Sequence, residues 1–341
     1  MMAQVKFESL VARLRQILEG AGCSKSVAAL IARNCASAER DGAKSHGLFR
    51  MPGYVSSLLG NWADGKAEPV VDDVAPGFIR IDAANGYAVS ALSAGAKLAM
   101  EKARRNGIVV VAIRNSHHLG ALSLDVEPFA DVGLVALSVL NSMKGVVPHG
   151  GKSAVFGTNP MAFAAPRASA PPFVFDQAAS TMARGDVSIA MNEGRALPPD
   201  VGVDKHGLKT TDPAEIIDGG ALLTFGGHKG TTLALMIEIL CAALVGSQFS
   251  YECDLETMPG AATPCTGQTL ILIDPYAGST GLADFRVRVD ELLRAVIDAG
   301  LQRVPGEGRL RARERAMQNG INVSSEELDA LASLETQVGI R

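Results

Sequence analysis

Apolar residues at the start of the chain recur at the three- and four-residue spacing of an amphipathic helix. The first series ends at Gly20 and consists of Phe7, Leu10, Val11, Leu14, Ile17 and Leu18. Ser24 is placed to cap a second helix, whose apolar face would hold Val27, Ala28, Ile31, Ala32 and Cys35. A third helix would carry Arg50, Tyr54 and Leu58. The N-terminal part of the chain is therefore predicted to be helical.

Short runs rich in β-branched residues then alternate with helical segments. Strands are predicted at residues 78–81, 108–113, 134–139, 161–165, 173–175 and 270–273. Helices are predicted at 87–105, 231–244 and 287–299, the last two covering the sheet. The C-terminal part is helical again, with a segment at 310–317 and a capping box of Ser324 and Glu327 before the last helix. This pattern indicates an α/β fold with a mixed sheet, in which the helical N- and C-terminal segments pack together.

Composition and charge exclude several classes of protein. The 341 residues exceed what one hydrophobic core usually serves, and a net charge of −4 without a basic block disfavours a nucleic-acid partner. The five cysteines are widely spaced and form no Cys-x-x-Cys pair, so neither disulfides nor a metal site are expected. The longest apolar stretch, residues 233–245, is shorter than the ~20 residues of a membrane helix and contains Glu238. No signal peptide is expected, and we predict a cytoplasmic protein without a membrane partner.

The segment from Asp41 to Arg50 carries the clearest candidate chemistry. Ser45, His46 and Arg50 bring a hydroxyl, an imidazole and a guanidinium within six residues. Imidazole exchanges a proton near neutral pH, and guanidinium holds a carboxylate through two parallel hydrogen bonds. The cluster therefore suits an enzyme that reduces small carboxylated substrates. Taken alone, a helix end with solvated His and Arg side chains explains the pattern equally well.

The usual signatures of nucleotide enzymes and hydrolases are missing. No Gly-x-Gly-x-x-Gly follows a strand, and Gly306-Glu307-Gly308 lacks the third glycine. Gly151-Lys152-Ser153 lacks the earlier glycine of a P-loop, because position 146 is Val. The same segment fails as a Gly-x-Ser-x-Gly elbow. These failures disfavour a Rossmann enzyme, an NTPase and an α/β-hydrolase.

Other glycine-rich segments remain candidate sites. Residues 115–121 follow a strand, where α/β proteins bind ligands, and we favour a nucleotide loop over a plain polar loop or a metal pair. Residues 156–160 form a turn that either contacts a ligand through Thr158 or only satisfies its own backbone. Residues 226–230 begin a helix, where free N–H groups and Lys229 suit a phosphate; a flexible helix start is the alternative. Asp186 could orient His46, or be an ordinary solvated carboxylate.

Taken together, these motifs resemble those of the malate/L-lactate dehydrogenase family, whose fold is not a Rossmann fold. The resemblance rests on residues 45–47 with Arg50, 157–160, 227–230 and 303–307, in this order along nearly the whole chain. Within the family, the chain is most similar to the Δ1-piperideine-2-carboxylate/Δ1-pyrroline-2-carboxylate reductases. The supporting stretches are residues 34–42, 125–130, 147–150, 266–268 and 273–275.

The resemblance implies specific roles and partners. Ser45, His46 and Asp186 match a catalytic proton relay, and Arg50 and Thr158 match substrate contacts. The cofactor contacts would be His118, Leu119, Gly120, Ala121, Leu122, Asp176, Gln177, Ala178, His228, Lys229, Arg303, Val304, Pro305, Gly306, Glu307, Gly308 and Arg309. The cofactor would be NADPH, with NADH possible, and the protein would be a homodimer. The implied domains are a helical domain of residues 1–65 joined by 286–341, a small α/β segment of 66–122, and a nucleotide-binding sheet domain of 123–285.

We therefore expect NADPH-dependent reduction of cyclic imino acids, giving L-pipecolate and L-proline. A dehydrogenase of 2-hydroxy acids is the alternative, in which His46 would protonate a carbonyl oxygen. A non-catalytic nucleotide-binding regulator is an alternative of another class, and it would bind NADPH without turnover. The rates with cyclic imines, pyruvate and oxaloacetate separate the three.

Overall fold

The computed structural model describes residues 2–340 of the chain and contains eleven α-helices and thirteen strands within them. The helices are α1 (Phe7–Gly20), α2 (Lys25–Arg40), α3 (Met51–Leu59), α4 (Ala88–Asn106), α5 (Ser123–Asp131), α6 (Arg184–Asn192), α7 (Pro213–Ile217), α8 (His228–Glu238), α9 (Phe285–Asp298), α10 (Glu307–Asn319) and α11 (Ser325–Gln337). The strands are β1 (Met2–Val5), β2 (Val70–Ala75), β3 (Phe78–Asp82), β4 (Ile108–Ser116), β5 (Val135–Leu140), β6 (Val146–Val147), β7 (Met161–Ala165), β8 (Phe173–Gln177), β9 (Gly202–Val203), β10 (Lys209–Thr210), β11 (Ala221–Leu223), β12 (Thr266–Ile273) and β13 (Ile321–Ser324).

The central sheet has seven strands in the order β2-β3-β4-β12-β5-β7-β8. Only β3 and β4 run parallel, and every other neighbouring pair is antiparallel. All six strands predicted from the sequence lie in this sheet, so the mixed α/β fold is confirmed. The sequence pattern missed β2, because its Asp72 and Asp73 break the apolar alternation at the edge of the sheet.

The two ends of the chain pack together, as predicted. β1 pairs with β13 in an antiparallel register from Met2 opposite Ser324 to Val5 opposite Ile321. A helical core from α1, α2, α3 and α11 lies beside this ribbon and includes the buried residues Leu14, Ile31 and Leu331. Ser24 caps α2 by accepting from the backbone N–H of Val27, and the capping box of Ser324 and Glu327 is present.

A second, smaller sheet has the order β10-β9-β11-β6 and packs against α6 and α7. Its buried residues include Val146, Val187, Ile216 and Leu222. The sequence pattern missed this sheet because its strands are only two or three residues long, too short to show a period. The small sheet matters for function because it carries α6, which forms one wall of the site.

Two predicted helices differ from the observed ones in informative ways. Arg50 does not lie in the third helix but in a 3₁₀ turn, Leu48–Arg50, directly before α3. The apolar helix predicted at 231–244 is α8, which begins at His228 and continues after Glu238 as a π-helical turn, Ile239–Ala243. A π-helical turn has one more residue between its hydrogen-bonded groups than an α-helical turn, and the apolar periodicity of the sequence does not predict it.

The division into domains stays a prediction. The segments 66–122 and 123–285 contribute strands to the same seven-stranded sheet. α9 falls in the predicted helical domain but contacts the turn between β7 and β8, where the Asp290 carboxylate accepts from Arg167 and Ser169.

Within residues 2–340, no helix is both long and apolar enough to cross a membrane.

Candidate active site

A large cleft separates the helical core, the edge of the central sheet and the small sheet. Its volume is about 1130 Å³. Its walls come from the turn after α2, the segment between β4 and α5, the ends of β5 and β8, the start of α6, and the segment leading into α10. Such a volume suits a dinucleotide together with a small substrate, since ordinary ligand pockets hold ~300–1,000 Å³.

The turn after α2 presents its polar side chains in a fixed arrangement. Ser45 Oγ and His46 Nδ1 lie 3.2 Å apart, within hydrogen-bond distance. Arg50 Nε donates to the backbone oxygen of Ser45 at 2.7 Å, which holds the guanidinium beside the imidazole. The Glu39 carboxylate accepts from the backbone N–H of Leu48 at 2.9 Å and ties the turn to α2. The predicted cluster is therefore a packed structure and not a solvated helix end.

α6 approaches this turn closely because residue 185 is glycine. A Cβ atom at Gly185 would lie 2.8 Å from the Ser45 Cβ and 3.4 Å from Arg50 Nη2. Any side chain there would push α6 away from the guanidinium. The close approach brings Asp186, in the first turn of α6, to the same cleft as His46 and Arg50.

Burial gives the two central side chains unusual protonation behaviour. Burial, together with the nearby Arg50 and His118 side chains, lowers the pKa of His46 to about 3. Burial also lowers the pKa of Arg50, while Tyr54 and Asp186 act in the opposite direction and favour its charged form. At neutral pH, His46 is therefore a neutral imidazole beside a guanidinium cation.

His118 contributes a second buried imidazole to the cleft. Its Nε2 atom lies 2.8 Å from Asp125 Oδ2, and Gln268 Nε2 donates to the same oxygen at 2.8 Å. Gln268 is held in turn by Ser138 Oγ at 3.0 Å. No local pattern in the sequence links Asp125 and Gln268 to His118, because one lies seven residues away and the other lies on a distant strand.

Ionic contacts hold α10 against the opposite wall. Arg313 bonds both Asp41 and Glu127, and Arg309 Nη1 donates to Glu127 at 2.6 Å. Burial would raise the pKa of Asp41, but the Arg313 and Arg40 guanidiniums hold it below its usual value. This network fixes the helix from which Gly308, Arg309, Ala312 and Arg315 reach the cleft.

Most of the predicted site residues come together at this cleft. The lining residues that were predicted are Ser45, His46, Arg50, His118, Leu119, Gly120, Ala121, Leu122, Thr158, Asp176, Gln177, Ala178, Asp186, Arg303, Pro305, Gly306, Gly308 and Arg309. Two further arginines, Arg184 and Arg315, line it without having been predicted. The sequence contains one sign that Arg315 belongs to the site, because Gly308, Ala312 and Arg315 recur at the spacing of one helix face.

Four predicted cofactor residues do not line the cleft. Val304 is buried, and Glu307 is half-buried at the start of α10. His228 and Lys229 are exposed at the start of α8. The hydrogen bonds among residues 2–340 include none between Asp186 and His46, and Ser45 Oγ lies beside the imidazole Nδ1. The predicted roles of these residues stay predictions.

Comparison with known proteins accounts for this arrangement. The sequence profile of the malate/L-lactate dehydrogenase family matches residues 5–332. The chain belongs to this family. It is an oxidoreductase, and membership implies a nicotinamide cofactor.

Its relatives in the family include reductases and dehydrogenases. A Δ1-pyrroline-2-carboxylate/Δ1-piperideine-2-carboxylate reductase from Pseudomonas putida is 54% identical over 98% of this chain and 97% of the relative. The crystal structure of the Δ1-piperideine-2-carboxylate reductase from Pseudomonas syringae pv. tomato matches with a TM-score of 0.93 and 52% identity, covering 97% of this chain and 99% of that one. An NADP⁺-dependent (2R)-3-sulfolactate dehydrogenase from Chromohalobacter salexigens is 37% identical over 86% of each chain.

Proposed function

We propose that this enzyme reduces the C=N bond of cyclic 2-imino acids with NADPH. Δ1-Piperideine-2-carboxylate would give L-pipecolate, and Δ1-pyrroline-2-carboxylate would give L-proline. The observation that carries the proposal is the packed pair of His46 and Arg50 in the cleft. Relatives that are 54% and 52% identical to this chain are named for these two substrates. The chain covers almost the full length of both relatives.

Arg50 suits the substrate carboxylate. Its Nε donates to the Ser45 carbonyl, which fixes the plane of the guanidinium group. The two Nη groups are then directed to a ligand in the cleft. A carboxylate on these groups forms a charge-assisted contact in a partly dry site, where such contacts are strong. Thr158, half-buried across the cleft, supplies a hydroxyl to the same substrate.

His46 suits a proton transfer that depends on the bound substrate. The imidazole is neutral because of burial and because Arg50 lies beside it. A substrate carboxylate on Arg50 offsets the guanidinium charge and thereby raises the pKa of His46, while burial, the largest cause of the low pKa, remains. Binding therefore prepares His46 to exchange a proton with the ring nitrogen, while Ser45 at Nδ1 holds the ring orientation. Asp186 supports the charged form of Arg50 from the other side.

The residues of the cleft fit a dinucleotide. Among the described residues, Arg309 keeps Nη2 buried without a hydrogen-bond partner, and Arg303 and Arg315 line the same wall, as a phosphate-bearing ligand needs. Asp176 lines the cleft at the end of β8, where its carboxylate accepts from the Ser123 N–H at 2.8 Å and from the Ser123 side chain, and an acceptor held in this way suits a ribose hydroxyl. When bound, the reduced nicotinamide supplies the hydride.

The preference for NADPH rests on these same arginines. A 2′-phosphate adds about two negative charges to the nucleotide, and guanidinium groups recognise phosphate in a bidentate way. A homodimer, which the family resemblance implies, and the cytoplasmic location expected from the sequence belong to the same proposal.

A substrate panel tests the function. The loss of reduced nicotinamide absorbance is followed with both cyclic imines, pyruvate and oxaloacetate, each with NADPH and with NADH. We expect the cyclic imines to be turned over with a higher kcat/KM than either open-chain acid, and with NADPH above NADH. Faster turnover of pyruvate or oxaloacetate would assign the enzyme to the 2-hydroxy acid dehydrogenases, and NADPH binding without turnover would make it a regulator.

A further inference from the structure

Glu238 is a carboxylate inside an otherwise apolar helical segment. It is the last residue of α8, directly before the π-helical turn, and its side chain is 5% exposed. No ion pair between Glu238 and a basic side chain occurs among the described residues 2–340. An unpaired buried carboxylate is costly, so its hydrogen-bond partners decide why it is tolerated.

Four donors from three separate segments surround this carboxylate. Oε1 accepts from Asn159 Nδ2 at 2.9 Å and from the Ser250 hydroxyl. Oε2 accepts from the Ser250 N–H at 3.1 Å and from Asn141 Nδ2 at 3.3 Å. All three partners are themselves buried. The carboxylate therefore joins the end of β5, the turn before β7 and the segment around residue 250.

Two of these segments form the floor of the cleft. Asn141 directly precedes Ser142, and Asn159 directly follows Thr158; both Ser142 and Thr158 line the cleft. The segments also touch each other, because a Cβ atom at Gly157 would lie 2.4 Å from Ser142 Oγ. Asn159 has a φ of 41°, a left-handed conformation that the surrounding contacts must hold in place.

We propose that Glu238 is a positioning residue for the substrate site. Its carboxylate fixes Asn159, and through it the direction of the Thr158 hydroxyl, while its second oxygen fixes Asn141 before Ser142. The inference rests on the proposed function, because it takes Thr158 as a substrate contact. A carboxylate is required because every group that faces it is a donor, or in the case of the Ser250 hydroxyl acts as one.

Because the two carboxylate oxygens of Glu238 have different partners, Glu238→Gln should disturb the contacts of one oxygen and keep those of the other. The amide of glutamine has one acceptor and one donor. On the Oε2 side both partners are N–H donors, so the acceptor must stay there. The NH₂ group then replaces Oε1, where the Ser250 hydroxyl can turn and accept, but Asn159 Nδ2 loses one of its two acceptors and keeps only the Ala234 carbonyl at 3.2 Å. The substitution therefore weakens the anchoring of Asn159 selectively.

We expect Glu238→Gln to raise KM for the cyclic imino acid about tenfold, with less than a threefold change in kcat. The Kd for NADPH should stay within twofold, measured by the fluorescence of the bound nucleotide. Glu252→Gln is the matched control, because Glu252 accepts from the Phe249 N–H close to Ser250 but touches neither asparagine. The control should leave KM within twofold.

The reciprocal change tests the pairing itself. Asn159→Asp alone places a carboxylate against Glu238 and should raise KM more than Glu238→Gln does. When Asn159→Asp is combined with Glu238→Gln, the introduced carboxylate accepts from the glutamine NH₂ but still faces the Ala234 carbonyl, so only part of the lost affinity should return. Asp tolerates the left-handed conformation nearly as well as Asn, so the backbone is not the cause of either effect.

Hydrogen exchange gives a measurement that does not depend on turnover. Peptides that cover residues 156–160 should exchange faster in folded Glu238→Gln than in the wild type or in Glu252→Gln. A wild-type KM and unchanged exchange in folded Glu238→Gln, or a double variant worse than both single ones, would overturn the inference. A wild-type protein that does not turn over cyclic imines would instead overturn the proposed function, and the exchange result would still decide whether Glu238 positions the turn.

Discussion

Residues 45–50 and residues 227–230 both place a histidine and a basic side chain beside a glycine, yet the fold uses them differently. In the first segment, the Ser45 carbonyl accepts from Arg50 and Ser45 Oγ lies at the His46 ring, inside a cleft. In the second, His228 and Lys229 are exposed at the start of α8 and do not line that cleft. Residue type alone therefore does not distinguish a preorganised site from a solvated helix start. The difference lies in the partners that long-range packing supplies.

The largest expected effect follows from removing the imidazole of the packed segment. His46→Ala should lower kcat by about 10²–10⁴-fold, because the proton transfer loses its positioned donor or acceptor. The Kd for NADPH should change little, which separates loss of chemistry from loss of binding. Ser45→Ala should give a milder decrease, since the ring keeps its place but loses the partner at Nδ1. A near-normal kcat for folded His46→Ala across the pH range would remove His46 from the mechanism.

Arg50→Lys should act on binding more than on turnover. The substitution keeps a charge but loses both the two-point fork and the Nε contact with the Ser45 carbonyl. Losing the whole charge-assisted contact would cost about 1.5–3 kcal/mol, or roughly 10–150-fold in KM; because lysine keeps the charge, KM for the imino acid should rise toward the lower end of this range. Steady-state kinetics decide between this outcome and the opposite one, a decrease in kcat at unchanged KM, which would place Arg50 on the reacting atoms and not on the carboxylate.

The two segments also show how much the sequence could predict. Local patterns predicted six of the seven strands of the central sheet, the caps at Ser24 and Ser324, and the cluster of Ser45, His46 and Arg50. The site partners that come from distant segments carried no local signal, and Asp125, Gln268 and Glu238 are examples. The two-residue strands of the small sheet were missed for a related reason, because their stability comes from tertiary packing around Val146 and Leu222.

The neutral state of His46 predicts a pH dependence of stability. Its pKa is about 3 in the folded protein, whereas an unfolded chain has an ordinary value of ~6.5. Between these values the unfolded state binds a proton that the folded state does not, so stability falls as the pH falls. His46→Gln should flatten this decline by up to about 1.4 kcal/mol per pH unit between pH 5.5 and 4. Denaturant titrations check this, with the exposed His206→Gln as the control; parallel slopes for all three proteins would contradict it.

The smallest effect is expected from the exposed segment. Lys229 lies outside the cleft walls and is exposed, so the predicted contact with a cofactor phosphate would have the strength of a surface ion pair. Such pairs contribute about 0.2–1 kcal/mol, so Lys229→Ala should raise the Kd for NADPH no more than about fivefold. The effect should shrink further at high salt, because exposed charges are screened. Arg309→Ala is the comparison within the cleft, where a buried guanidinium nitrogen has no partner among the described residues and a larger loss of affinity is expected. A loss above tenfold for Lys229→Ala at physiological salt would mean that residues 227–230 close over the nucleotide in the working enzyme, and the contrast between the two segments would then hold only for the unliganded chain.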